Sequence, residues 1–318
     1  MTKFERTLNP KILESTDLAS TPWMMDLLRH WYPAGHAAPM VDWVTSGKTR
    51  KLSGPRPMGL RLAIRNGYAN FYCGGQSIAR VTMGKALSAE THQKYLADDA
   101  PNTQSYTKLG ADHADVASWM ARSHAYHGIE KLFVEDVCVR NGTVIDIEMG
   151  LPSLNVINPE TGIAQKVALR IDLVALERVE DGWQVVFWEA KLPDDSRMRS
   201  TGDTPHIMTQ MKTYAEWFAQ PEVSADVLAA YKGTCKIIAD LRQTAVSMGI
   251  DVPPLHQAII DIAETPSLLT GIDPQVRLLI DMRKGDQRFD EIHLPKIADI
   301  PMHCVRTNND LVLPVGQS

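Results

Sequence analysis

Alternation of apolar and polar residues becomes regular at Leu60. The runs Leu60-Arg61-Leu62-Ala63-Ile64 and Tyr68-Ala69-Asn70-Phe71-Tyr72 flank Asn66-Gly67, and Gly74-Gly75 leads into a third run from Gln76 to Met83. Short runs joined by Asn-Gly and Gly-Gly predict a β-meander, because both dipeptides supply the positive φ that tight hairpin turns need. Upstream, residues 1 to about 55 carry Trp23, Trp31, Tyr32 and several prolines, which predicts short helices and irregular connections. The polar stretch from Ala97 to Gly110 contains Asp98-Asp99, Pro101 and Asn102 and marks the expected boundary. Beyond it the period changes. Val116, Trp119, Met120 and Ser123 fall at helical spacing, so a helix is expected from Asp112 to about His127, ended by Gly128, with a first strand beginning near Glu130. Val223 to about Met248 reads as another helix and Val276 to Asp281 as a strand. Short strand-like runs between Ile292 and Val315 have no assigned role.

The chemistry concentrates in one hairpin. Leu169 to Leu176 and Gln184 to Lys191 are rich in β-branched and aromatic residues, with Asp181-Gly182 between them. A two-residue Asp-Gly loop would pair Glu180 with Trp183 and place Asp172 opposite Lys191. Glu189 then shares their face, because side chains alternate every two residues along a strand. A slip of one residue would send Asp172 to the far face. Two carboxylates and an ammonium on one side of an apolar hairpin call for partners or a cation. A hard divalent ion such as Mg²⁺ relieves the repulsion between such carboxylates, can polarise a phosphoryl oxygen and can activate a water. A solvated face with a Lys–Asp cross-strand pair is the plain alternative.

The next element adds polar groups. Thr204-Pro205 predicts a helix start, with Thr as N-cap and Pro at the first position. The helix runs through His206, Gln210, Tyr214, Trp217 and Phe218 to about Gln220-Pro221. His206, Gln210 and Tyr214 are spaced by four and line one stripe, which suits contact with a phosphate or a base.

An Asp on one strand, Glu-X-Lys on the next and Gln-X-X-X-Tyr on the following helix resemble the PD-(D/E)XK nuclease superfamily, within it the RecB-like branch. The resemblance covers about Asp112 to Asp281. It implies an α/β (α+β) fold with a restriction-endonuclease-like core, a mixed sheet flanked by helices. It also implies that Asp172, Glu189 and the carbonyl of Ala190 bind Mg²⁺ or Mn²⁺. Lys191 would act on the attacking water or the transition state, and Gln210 and Tyr214 would contact nucleic acid. The family places a further acid or histidine ahead of the sheet. Glu130 is the preferred metal ligand of that kind, with Glu135 and Glu148 as rivals and His124 or His127 as substitutes. Some RecB-like nucleases hold an iron–sulfur cluster. Cys73, Cys138, Cys235 and Cys304 are scattered without a C-x-x-C pair, which argues against such a cluster or a zinc site. Gly47-Lys48-Thr49 resembles the end of a phosphate-binding loop but lacks its first glycine, which argues against an NTPase.

With 44% apolar and 22% charged residues, the 318-residue chain has the composition of a folded enzyme rather than a disordered segment. No apolar run is long enough to cross a bilayer, and Met1-Thr2-Lys3-Phe4-Glu5-Arg6 lacks the apolar core of a secretory signal. Few, unpaired cysteines suit a reducing compartment, so a cytoplasmic location is expected. The net charge of −5 hides an asymmetry. From Trp43 to Ala89 there is no Asp or Glu, while Lys48, Arg50, Lys51, Arg56, Arg61, Arg65, Arg80 and Lys85 give +8; −5 less +8 leaves −13 for the rest. That suggests a polyanion-binding face carried by Lys48, Arg50, Lys51 and Arg56 together with His206, Gln210 and Tyr214. Pairing with the acidic remainder or with a partner subunit is the alternative.

The sequence therefore predicts two domains: a basic β-meander module over 1–105 and a nuclease core with a C-terminal extension over 106–318. The resemblance implies metal-dependent phosphodiester hydrolysis, in DNA ahead of RNA because DNA is the commoner substrate of that family, in a setting such as repair or defence against foreign DNA. A catalytically inactive nucleic-acid-binding or assembly subunit is the rival, and a homo-oligomer or a protein partner is open under either reading.

Overall fold

A computed structural model describes residues 3–13, 20–41, 56–96, 106–109, 115–152, 154–157, 164–167, 169–199 and 204–314. In chain order these form helix α1 (Pro22–Arg29), strands β1 (Arg61–Arg65), β2 (Tyr68–Cys73), β3 (Gln76–Met83), β4 (Leu87–His92) and β5 (Tyr106–Lys108), then helices α2 (Val116–Ser123) and α3 (Ile129–Arg140). Strands β6 (Val144–Gly150), β7 (Arg170–Val179) and β8 (Gly182–Lys191) follow, then helices α4 (His206–Phe218), α5 (Pro221–Ser247) and α6 (Gln257–Glu264). Strands β9 (Leu269–Ile272), β10 (Arg277–Asp281) and β11 (Met302–Val305) close the series. The fold is a mixed α and β one. No helix among the described residues is long and apolar enough to cross a membrane.

The chain divides into two compact units. One comprises 6–143 and 232–266, the other 1–5, 144–231 and 267–318. This differs from a division at 105/106: β5 pairs with β4 through His92↔Tyr106, so the meander sheet continues past 105, and α2 and α3 belong with it. The first unit is built on the antiparallel sheet β1-β2-β3-β4-β5. The Asn66-Gly67 and Gly74-Gly75 turns lie where expected, and Gly67, Gly74 and Gly75 all adopt positive φ.

Two expectations change here. The helix expected to run to His127 is α2 followed by a 3₁₀ turn, His124–Tyr126, and Gly128 does not end it but N-caps α3 in an extended conformation. Glycine serves at either helix end, and the run Leu132-Phe133-Val134 reads as a strand only because α3 buries residues around most of its circumference. Glu130 therefore sits in the first turn of a helix. The basic stretch also changes. Arg61 and Arg65 are 4% and 7% exposed. The Arg61 guanidinium binds Glu135 at 2.5 Å and the carbonyls of Tyr32 and Pro33 at 2.7 and 2.8 Å. It is a structural cation, not part of a phosphate-binding face. Arg80 lies over the Tyr106 ring, and Lys85 is exposed. Lys48, Arg50 and Lys51 lie outside the described residues. Arg56 opens a two-residue strand paired with Met40–Val41.

The second unit is built on the mixed sheet β11-β10-β8-β7-β6, with β9 also against β8. β6, β7 and β8 are antiparallel; β8, β10 and β11 are parallel. The C-terminal strand-like run thus finds its place as the edge strand β11. β7 and β8 are buried along nearly their whole length, as expected of strands covered on both faces. Helix α4 buries Ile207, Met211, Tyr214, Trp217 and Phe218, and Phe218 lies 4.4 Å, centroid to centroid, from Phe187 of β8. Each such side chain contributes about 1.5–3 kcal/mol by leaving water.

The hairpin register differs from the expected one by two residues. The turn is Glu180-Asp181, and Val179 pairs with Gly182, Arg178 with Trp183 and Leu173 with Trp188. Gly182 belongs to the strand because β9 arrives there: at φ 151° an added Cβ would stand 2.3 Å from the Leu268 carbonyl oxygen. Continued by one residue, the ladder puts Asp172 across from Glu189 rather than Lys191. A slip of two preserves the face, so all three charges still converge. At α4, Pro205 rather than Thr204 is the N-cap, and no side chain caps the helix.

Candidate active site

Asp172, Glu189 and Lys191 are 4%, 3% and 1% exposed, which removes the solvated-hairpin alternative. The Lys191 ammonium donates to Glu189 Oε1 at 2.6 Å and to the carbonyl of Ala190 at 2.7 Å. The Ala190 amide donates to Asp172 Oδ2 at 2.9 Å. The Ala190 backbone thus links Asp172 through its amide and Lys191 through its carbonyl, and Lys191 carries the link on to Glu189.

Helix α4 closes the cluster with the two residues four apart. Gln210 Nε2 donates to Glu189 Oε1 at 2.7 Å and to the Tyr214 hydroxyl at 2.8 Å. That hydroxyl lies within donating distance of Glu189 Oε2, 3.0 Å, and of the Arg170 carbonyl, 2.7 Å. The donors around Glu189 are thus Lys191, Gln210 and Tyr214, while His206 sits at the exposed first position of α4.

Opposing effects act on Glu189. Burial and then the Asp172 charge push its carboxyl up; Lys191 and Tyr214 pull it down, and the result is about 7 against the ordinary 4.5. The upward effects win because desolvation penalises the charged form throughout, while each donor offsets only part of that penalty. Burial, then Glu189, likewise raises Tyr214 far above the usual phenol range, so it remains a donor.

A further acid stands beside Asp172. On β6, Ile147 pairs with Leu173 and Met149 with Ile171, which leaves Glu148 across from Asp172 on the side away from Glu189. Glu148 is buried and has φ 53°, the left-handed region, and the ladder skips this pair. Non-glycine residues held there carry strain of about 1–3 kcal/mol and gather at functional sites. Of the acids weighed from sequence, Glu148 is therefore the one the sheet register brings to Asp172. Glu130 lies in the other unit, and Glu135 there is committed to Arg61.

Comparisons with protein-family models, curated proteins and solved structures returned no match.

The donor set itself bears on what could be held. Asp172, Glu189 and the Ala190 carbonyl are hard oxygen donors, the kind that Mg²⁺ and Mn²⁺ prefer, and Glu148 adds a fourth. Two residues that sequence reasoning passed over border them. Arg197 donates to Gln210 Oε1 at 3.2 Å and to both carboxylate oxygens of Asp195. Arg170, 65% exposed, places a guanidinium nitrogen 3.6 Å from Glu148. The available signal was position: each is a cation next to a motif, Arg170 two residues before Asp172 and Arg197 six after Lys191.

Proposed function

We propose that the chain is a divalent-metal-dependent nuclease that hydrolyses phosphodiester bonds, in DNA ahead of RNA. The observation that carries this reading is the convergence of Asp172, Glu189 and Lys191 in one buried cluster, with Gln210 and Tyr214 bonded onto Glu189. The order β6-β7-β8-α4-β10, with three antiparallel strands and a parallel fourth, supports a restriction-endonuclease-like core at the level of fold analogy.

Asp172, Glu189 and the Ala190 carbonyl would hold Mg²⁺ or Mn²⁺, with Glu148 as a fourth oxygen donor. The ion would polarise a phosphoryl oxygen and lower the pKa of a bound water. Lys191 has its ammonium on the Glu189 carboxylate, from which it can orient a water or stabilise charge developing on the phosphate. Gln210 and Tyr214 fix the Glu189 carboxylate in position through both of its oxygens. Arg170 and Arg197, near the cluster yet partly exposed, are suited to phosphate oxygens of the chain being cut.

The burial of the cluster favours one other reading, a binding or assembly subunit whose buried acids and lysine only hold the sheet together. Labelled single- and double-stranded DNA, incubated with Mg²⁺, Mn²⁺ or EDTA, separates the two. Metal-dependent cleavage by wild type and none by Asp172→Ala supports the nuclease. Absence of cleavage under every condition, or full activity in EDTA, overturns it.

A further inference from the structure

We infer that Cys73, His124 and His127 form a binding site for Zn²⁺, built from residues other than the carboxylate cluster. The Cys73 sulfur and one nitrogen from each imidazole all lie within 4.8 Å of one another. Zinc bonds of about 2.0–2.3 Å in a tetrahedron place ligand atoms roughly 3.3–3.8 Å apart, so the three need close by only about 1 Å, within the reach of small side-chain rotations.

The local folding explains the convergence. Cys73 is the last residue of β2, and the chain then turns through Gly74 and Gly75 at φ 50° and 76°. A Cβ on Gly74 would fall 2.3, 2.5 and 2.7 Å from three atoms of the His127 ring, so glycine is what lets the imidazole reach the turn. His124 and His127 bracket one 3₁₀ turn, in which positions three apart eclipse. Their rings accordingly lie side by side, tilted by 57° with centroids 5.0 Å apart.

A second observation points to a ligand. A cavity of about 20 Å³ is lined by Cys73, Gly74, His127, Leu132, Glu135 and Asp136, room for a single water or ion beside the sulfur and one imidazole. The donor set is also selective. A thiolate with two imidazoles suits zinc-class transition metals and not Mg²⁺, the reverse of the oxygen set around Asp172. Cys73 is a buried free thiol, and zinc is bound by thiolate. Zinc binding therefore breaks the S–H bond, forms a Zn–S bond and releases the proton to solvent. Water in the cavity completes four-coordination. The ion would brace the β2–β3 turn against the 3₁₀ turn after α2.

The test uses the full chain, stripped with a chelator, reloaded with Zn²⁺ or Co²⁺, desalted and assayed for bound metal by mass spectrometry. Wild type should retain about one ion per chain and melt several degrees higher with it. The Co²⁺ form should show a thiolate-to-metal charge-transfer band, which Cys73→Ser abolishes. Cys73→Ser and the half-buried His127→Gln should each weaken zinc binding by more than about 100-fold, with circular dichroism confirming that they fold. Asp172→Ala should keep its zinc, so loss of the nuclease reading leaves this site standing. Failure of folded wild type to retain zinc or cobalt, or equal retention by both site variants, overturns the inference.

Discussion

Asp172 faces Glu189 across the β7–β8 ladder, and its charge is second only to burial in raising the Glu189 carboxyl to about 7. Placing two acids on adjacent strands at equivalent positions is unfavourable in the isolated protein. The arrangement becomes favourable when a cation shares them or when one stays protonated.

The metal-free protein should lose stability as pH rises from about 5 to 8. Glu189 holds its proton up to about 7 when folded and only to about 4.5 when unfolded. Between those values the native state binds more protons, so stability is present at the lower pH and declines upward, by a few kcal/mol at most. Urea unfolding of wild type and Glu189→Gln across this range checks it: the variant should be flatter. An identical slope in both would show that Glu189 is ionised throughout. Added Mg²⁺ should restore wild-type stability most at the high end, where the carboxylate is free to bind it.

Asp172→Asn should abolish cleavage yet keep the fold. An amide oxygen can still accept the Ala190 N–H that Asp172 accepts at 2.9 Å, and the loss of one negative charge should lower the Glu189 pKa. Asp172→Ala leaves that buried N–H without its acceptor, which costs about 1–3 kcal/mol and offsets the relief of repulsion. Denaturation midpoints of the two variants should differ in that order. Cleavage assays should find both inactive.

Lys191→Met should remove activity and destabilise the protein increasingly as pH rises above 7, because without its closest cation Glu189 must either ionise while buried or hold its proton to a higher pH. Below pH 6 the loss should shrink, since Glu189 can then take up a proton. Thermal melts at the two pH values report it, and an equal loss at both would mean that packing of the alkyl chain dominates. Lys191→Arg should not recover activity, because a larger guanidinium at a site 1% exposed cannot keep both the Glu189 and Ala190 contacts.

Glu135→Gln should destabilise the protein by about 3 kcal/mol or more, because it strands the Arg61 guanidinium, 4% exposed, without its carboxylate. DNA affinity at low salt should not change if Arg61 is structural. A large gain in DNA binding on this substitution would mean that Arg61 is released toward solvent.

Charge reversal at Lys48, Arg50 and Lys51 tests what remains of the basic stretch. Binding of short DNA by protein inactivated at Glu189 should weaken evenly across sequences. The slope of log affinity against log salt should fall by roughly 0.7–0.9 for each phosphate no longer neutralised. An unchanged slope would assign these lysines and arginine to contacts within the protein or with a partner subunit.

Some features of this protein were determined by the sequence alone. Alternation made Asp172, Glu189 and Lys191 share one face under any even-numbered loop, and a spacing of four put Gln210 and Tyr214 on one side of a helix. Both depend only on the local periods of strand and helix, so they survived a register two residues away from the expected one. The Asn-Gly and Gly-Gly turns of the meander were legible for the same local reason. Everything that depends on contacts distant in sequence was decided by the tertiary structure. Leu268 approaching Gly182 moved the hairpin turn, and β6 lying against β7 set Glu148 across from Asp172. Burial beside Glu135 turned Arg61 from an expected surface cation into an internal one. The Gly74 turn brought Cys73 to two histidines some fifty residues away, where the spacing of cysteines along the chain had argued against an iron–sulfur cluster or a zinc site. Periodicity says which residues point the same way, but only packing says what they meet there.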